Sequence, residues 1–228
     1  MSKPTLYIVH GWTTTTDNWQ GAINELEQRG IKVHMLEVPG LTTGADKEYQ
    51  ISDYVDWIAN KLPPHTIVLG HSNGGRILMN AISEGKITPS QLILLNSAGI
   101  YHRSLKARLS KFAARLFGKL FGQNNPLRPL VRRLLGASDY SKASADMKKT
   151  LENMLESDKK LNPARVKVPT TIIWGRKDKL TPLWQGRKLA AGIPNSTLEV
   201  VDNWTHNPYR THPSDFAAKI ATQVKDIA

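Results

Sequence analysis

The chain has 228 residues, 40% of them hydrophobic and 22% charged, with no cysteine and a formal net charge of +12. That length suits one large domain, or one domain plus an inserted lobe, with a sizeable buried core. The lack of cysteine excludes a disulfide framework and a thiolate metal site, and no apolar run approaches the roughly 18 residues of a membrane span.

In chain order, Met1-Ser2-Lys3-Pro4 leads at once into an apolar strand, Thr5 to Val9, leaving no room for a signal peptide. The strand runs into His10-Gly11-Trp12 and a polar loop, Thr13 to Asn18, in which Asp17 or Asn18 can cap a helix. Trp19, Ile23 and Leu26 share one face of that helix, and Gly30 stops it. A strand over Ile31 to Val38 ends at Pro39-Gly40. Ile51, Val55, Ile58 and Leu62 mark an amphipathic helix that Pro63-Pro64 terminates. Thr66 to Leu69 is a strand, Arg76 to Ile82 a helix, and Gln91 to Leu95 a strand ending at Asn96-Ser97-Ala98-Gly99.

Alternation then stops. Residues 101–165 read as helices only, broken at Gly122 to Pro126, Gly136 to Tyr140 and Asn162-Pro163. It resumes with a strand over Thr170 to Trp174, a helix over Leu183 to Ala191, a strand over Ser196 to Val201 and a last helix from Ser214. The pattern predicts an α/β fold, a doubly wound and mostly parallel sheet of about six strands. The core is expected over 1–100 and 166–228, with 101–165 as an inserted basic helical lid at the carboxyl edge of the sheet, where ligands of such sheets bind.

Gly70-His71-Ser72-Asn73-Gly74 lies between a strand and a helix, the setting in which G-x-S-x-G forms a nucleophile elbow. Strand and helix nearly touch there, so Gly70 and Gly74 must be small. Ser72 is the candidate nucleophile. A Ser hydroxyl needs a base, usually a His held by a third group. Three histidines follow Ser72: His102, His206 and His212. His206 sits in the loop after the final strand, at the same sheet edge as Ser72. His102 belongs to the lid entrance, and a capping or surface role suits His212. Asp178 follows Trp174-Gly175-Arg176-Lys177 at the end of a strand and is the favoured acid; Asp202 competes but reads as solvated. The backbone N–H groups of Asn73 and Trp12 are placed to receive a developing oxyanion.

His10-Gly11-Trp12, Pro39-Gly40, Gly70 to Gly75, Ile172 to Pro182 and His206-Asn207-Pro208, in this order and spacing, resemble the α/β-hydrolase superfamily from Tyr7 to about Ala218. The resemblance implies Ser72, Asp178 and His206 as a triad, Trp12 and Asn73 as oxyanion donors, and no cofactor or metal. It implies a serine hydrolase acting on a carboxylic ester or related acyl bond through an acyl-enzyme. Cleavage of a C–C bond or a small amide by the same triad is the runner-up. A non-catalytic hydrolase-fold binder is the alternative of another class. A Ser at the elbow speaks against the dehalogenase and epoxide hydrolase branches, which would require Asp.

The chain departs from the family pattern in three places. The antiparallel hairpin that usually precedes the His-Gly strand is missing. Ile31 to Val38 then becomes a sheet edge, with Lys32, His34 and Glu37 as blockers of edge pairing. Val38 stands where many relatives have Asp before Pro-Gly, so that loop is expected to differ. Asn73 replaces the usual Met, Leu or Gln and is expected to make the pocket floor more polar.

Residues 101–168 hold 16 Lys+Arg and 5 Asp+Glu, and the other 160 residues hold 15 and 14. The chain is a nearly neutral body with one basic lobe. Arg103 to Gly122 reads as a basic amphipathic helix, with Leu105, Leu109, Phe112, Leu116 and Leu120 at helical spacing. It can be a lid helix with its cations in water. It can also attract an anionic membrane surface, an acidic carrier protein or a negatively charged ester. The His-Gly-Trp opening resembles pimeloyl-acyl-carrier-protein methyl ester esterases, whose partner is acidic. No specific nucleic-acid motif is present. The expected setting is cytoplasmic, with the membrane periphery as the alternative.

Overall fold

The computed structural model of the chain describes residues 3–101 and 145–225. Six parallel strands form one sheet: β1 (Thr5–Val9), β2 (Lys32–Leu36), β3 (Ile67–His71), β4 (Gln91–Leu95), β5 (Thr170–Gly175) and β6 (Ser196–Val201). Their spatial order is β2-β1-β3-β4-β5-β6. The helices, numbered among the described residues, are α1 (Gln20–Gln28), α2 (Ile51–Lys61), α3 (Asn73–Ser83), α4 (Ala145–Ser157), α5 (Leu183–Gly192), α6 (Pro208–Thr211) and α7 (Pro213–Lys225). A 3₁₀ turn over Asp17–Trp19 precedes α1, and another over Pro163–Arg165 precedes β5.

The central strands are buried on both faces, which is why β3 and β4 read as continuous apolar runs. Their side chains still divide by the period of two. Leu6, Ile8, Leu69, Ile93, Leu95 and Ile173 pack against α1, α6 and α7. Val9, Val68, Leu92, Leu94, Ile172 and Trp174 pack on the other face with α2, α3 and α5. Two cores flank one sheet, the doubly wound arrangement. Because every strand is parallel, the segments after β1, β3, β4, β5 and β6 emerge at one edge. Chain direction across the sheet reverses between β1 and β3, where His10-Gly11-Trp12 meets the turn after β3.

β2 is a terminal strand of the sheet among the described residues, as expected. Lys32 is exposed, whereas His34 stacks on Tyr7 at 4.9 Å between ring centroids. The strand is shorter than the Ile31 to Val38 read from sequence; Ile31 joins the core and Glu37 lies beyond the strand end. The basic stretch Arg103 to Gly122, and most of the expected lid, lie outside the described residues. Of the segment 101–165, α4 and the 3₁₀ turn are described. Among the described residues no helix is long and apolar enough to cross a membrane.

Candidate active site

Ser72 occupies the turn between β3 and α3 with φ 50° and ψ −115°, a left-handed backbone that costs a non-glycine residue on the order of 1–3 kcal/mol. Surrounding structure holds it there. Its N–H donates to the Leu95 carbonyl at 3.1 Å, and its own carbonyl accepts from Gly75 and Ala98. The close approach expected of the two glycines is present. A Cβ on Gly74 would lie 2.0 Å from the Val9 carbonyl oxygen, and one on Gly70 would lie 2.5 Å from Gly75 Cα. A Cβ on Gly11 would lie 2.9 Å from Ser72 Cβ, so the segment after β1 runs directly beside the Ser72 side chain. Ser72 itself is partly exposed, and among the described residues its hydroxyl makes no hydrogen bond.

Asp178 and His206 meet across the ends of β5 and β6. His206 Nδ1 lies 2.7 Å from Asp178 Oδ2. An ionised carboxylate only accepts, so Nδ1 carries the proton and Nε2 is left with a free lone pair. Asp178 is fully enclosed. Its Oδ1 accepts from the Leu180 and Thr181 N–H groups at 2.7 and 3.0 Å, and the Thr181 hydroxyl lies 2.7 Å from Oδ2. Trp174 Nε1 donates to the Thr181 carbonyl and anchors this turn to the core. The competing acid is elsewhere: the Asp202 side chain is 81% exposed and pairs with Arg176. His212 bonds its neighbour Thr211 just before α7. His102 lies outside the described residues.

The backbone N–H groups of Trp12, which follows Gly11 in the segment after β1, and of Asn73, the first residue of α3, donate to no acceptor among the described residues. The side chain of Asn73 corrects the sequence reading. It is buried rather than part of a pocket floor: its Oδ1 accepts from Arg76 at 2.5 Å and its Nδ2 lies 3.0 Å from Met154 Sδ on α4.

Three buried groups that sequence reasoning left without a role tie the site together. His10 donates from Nδ1 to the Gly11 carbonyl, and its Nε2 lies 3.4 Å from the Val38 N–H, linking the segments after β1 and β2. Burial holds its pKa below the ordinary value. His71 donates from Nε2 to the His206 carbonyl at 2.9 Å, while its buried Nδ1 has no partner among the described residues. Burial, and then the nearby His206 ring, push the His71 pKa well below the ordinary value, so it stays neutral. Asn96, at the end of β4, also reaches the His206 carbonyl. No local pattern marks Asn96, whereas an Asp-x-x-Thr turn was the available signal for Thr181.

Among the described residues no cluster of His, Asp and Glu could hold a metal ion. Two clefts, one beside Pro63-Pro64 and Lys86 and one beside Trp57 and Leu36, contain none of Ser72, Asp178 and His206.

A doubly wound parallel sheet with a strained serine at its centre and a carboxylate–imidazole pair at the same edge is the architecture of a hydrolase scaffold. The chain belongs to the alpha/beta hydrolase fold family, whose model matches residues 4–213. It is similar to the pimeloyl-acyl-carrier-protein methyl ester esterase of Nitrosomonas europaea, with 24% identity covering 94% of this chain and 93% of that protein. It is also similar to the protein of the same name from Chromobacterium violaceum, with 23% identity covering 99% and 96%. Among solved structures, an esterase from Exiguobacterium antarcticum shares the fold with a TM-score of 0.72 at 20% identity, covering 98% of this chain and 92% of that one.

Proposed function

We propose that this chain is a serine hydrolase that cleaves a carboxylic ester, or a related acyl bond, through an acyl-enzyme on Ser72. The observation that carries the reading is the 2.7 Å pairing of His206 Nδ1 with the enclosed Asp178, at the sheet edge that also presents the strained Ser72. With Nδ1–H committed to the carboxylate, Nε2 takes the Ser72 proton as Oγ attacks the acyl carbon. Asp178 stabilises the resulting imidazolium. The unspent Trp12 and Asn73 N–H groups receive the oxyanion of the tetrahedral intermediate. The alcohol leaves with the proton from His206. Water, deprotonated by His206, then attacks the acyl carbon, releasing the carboxylic acid and restoring the Ser72 hydroxyl.

The same reading takes 101–165 as the lid; of that segment, the described α4 meets α3 where Met154 Sδ lies against Asn73 Nδ2. The lid's excess of cations suits an acidic carrier protein or an anionic surface presenting the ester. The names of the curated relatives favour the carrier.

Hydrolysis of p-nitrophenyl esters, from acetate to long acyl chains, tests the reading in the wild type and in Ser72→Ala. The wild type should turn over at least the short esters, and the substitution should lower kcat by on the order of 10⁶-fold. Equal rates in both proteins would sink it. Carrier pull-down at low and high salt tests the lid; binding that salt abolishes is the expected result.

A further inference from the structure

Asn96 is fully buried at the carboxyl end of β4, yet it is not part of any reacting group. Its backbone is left-handed, with φ 44°, a region that Asn enters more easily than most residues. From there its side-chain amide spans the gap between the two loops that supply Asp178 and His206. Nδ2 donates one proton to the Thr205 carbonyl at 2.9 Å and the other to the His206 carbonyl at 3.0 Å. Oδ1 accepts the Gly175 N–H at 2.8 Å, at the root of the Asp178 turn. The amide's orientation follows from these partners, since two carbonyls face Nδ2 and an N–H faces Oδ1. The backbone carbonyl of Asn96 completes the set, lying 2.9 Å from the Thr181 hydroxyl, which in turn lies 2.7 Å from Asp178 Oδ2.

Every polar atom of the Asn96 side chain is thus spent on the last residue of β5, from which the acid loop starts, or on the base loop. The His206 carbonyl is held twice, by Asn96 Nδ2 and by His71 Nε2, which fills both its lone pairs. Neither loop is a strand or a long helix; two backbone bonds, from the Arg176 N–H to the Val201 carbonyl at 2.9 Å and from the Lys177 N–H to the Trp204 carbonyl at 3.0 Å, join their near ends, but neither reaches Asp178 or His206. The β5–β6 pairing ends at Gly175 and Val201, before either Asp178 or His206.

We infer that Asn96 is a positioning residue for the reaction, whose amide clamps the acid loop to the base loop and so fixes the Asp178–His206 pairing from behind. The inference rests on the reading of Ser72, Asp178 and His206 as the working triad. Neither Asp nor Gly performs the task in this place. Asp keeps the acceptor for Gly175 but loses both donors and brings a charge among carbonyls. Gly keeps the left-handed backbone and removes the clamp.

Asn96→Gly and Asn96→Asp, each checked for cooperative thermal unfolding, test it by two readouts. Ester hydrolysis should show kcat lowered by about 10²-fold, the scale expected when a catalytic group is misplaced by about 1 Å, with KM changed little. Independently of activity, the far-downfield proton resonance of His206 Nδ1–H, present in the wild type and in Ser72→Ala, should broaden away in both Asn96 variants. A folded Asn96→Gly protein with wild-type kcat and an unchanged resonance overturns the inference. Should that variant fail to fold, the same result in Asn96→Asp overturns it. A wild type that hydrolyses no ester sinks the functional reading alone, because the resonance still reports on the clamp. A wild type without the resonance overturns the clamp itself.

Discussion

Arg76 and Asp158 form a bidentate ion pair, at 2.7 and 2.9 Å, with side chains only 4% and 5% exposed. Arg76 lies on α3, one turn beyond Ser72, and Asp158 directly follows α4. The remaining guanidinium nitrogen donates to Asn73 Oδ1, so the pair joins the elbow helix to the end of the inserted segment. Removing one partner leaves the other charge buried and alone. Arg76→Met or Asp158→Leu should each cost about 3–5 kcal/mol in urea unfolding. The double variant Arg76→Met with Asp158→Leu should recover most of that loss. Additive losses would show that the pair is not coupled.

Stability should fall on the acid side of neutrality. His10 and His71 are both buried and held below their ordinary pKa near 6.5. The unfolded chain therefore binds protons that the folded chain refuses. The stability is fully present above about pH 6.5 and is lost as pH falls from there toward the depressed folded values. Each histidine contributes a slope of at most about 1.4 kcal/mol per pH unit. Urea unfolding between pH 5 and 7.5 measures it. His71→Gln retains a donor for the His206 carbonyl but cannot titrate, and its slope should be flatter. An identical slope would remove His71 from the account.

The elbow tolerates no added carbon. Gly74→Ala places a methyl 2.0 Å from the Val9 carbonyl oxygen, which belongs to a central strand and cannot give way. The expected cost is about 3 kcal/mol or more, read as a fall in Tm or a failure to accumulate folded protein. Gly21→Ala on α1 is the control. Its new methyl would meet only Pro213 Cβ, at 3.8 Å, and helix propensity should make it neutral or stabilising by about 0.5 kcal/mol.

The Thr181 hydroxyl touches Asp178 Oδ2 and the Asn96 carbonyl and has one proton to give. Thr181→Val keeps the shape and removes that proton. A hydrogen bond to a charged group is worth about 1.5–3 kcal/mol, so kcat/KM for ester hydrolysis should fall about 10- to 100-fold. Thr181→Ser should retain most of the rate. Equal loss in both variants would assign the effect to packing instead.

The strands and long helices were legible because their apolar periods are local. The glycines at 70 and 74 were legible because a close approach leaves few residue choices. Asn96 was not, since its partners at 175, 205 and 206 are brought to it only by the order of β4, β5 and β6 in the sheet. The four-residue helix Pro208–Thr211 is too short to show a period. The side chain of Asn73 was misread as a pocket lining because nothing in a local window reveals that Met154 and Arg76 enclose it.

β4 ends at Leu95 and its next neighbour, β5, begins at Thr170, so 74 residues of chain separate two adjacent strands. A ribosome adding about 5–20 residues per second takes roughly 4–15 s to make them. For that interval the nascent chain holds Gln91-Leu92-Ile93-Leu94-Leu95, later buried along its whole length, as an open strand with one ladder unfilled. Ser72 has by then been synthesised, while Asp178 and His206 have not. The edge of β4 that waits for β5 is therefore a seam open to pairing with another chain during translation, and a chaperone, or rapid translation of those 74 residues, would protect it.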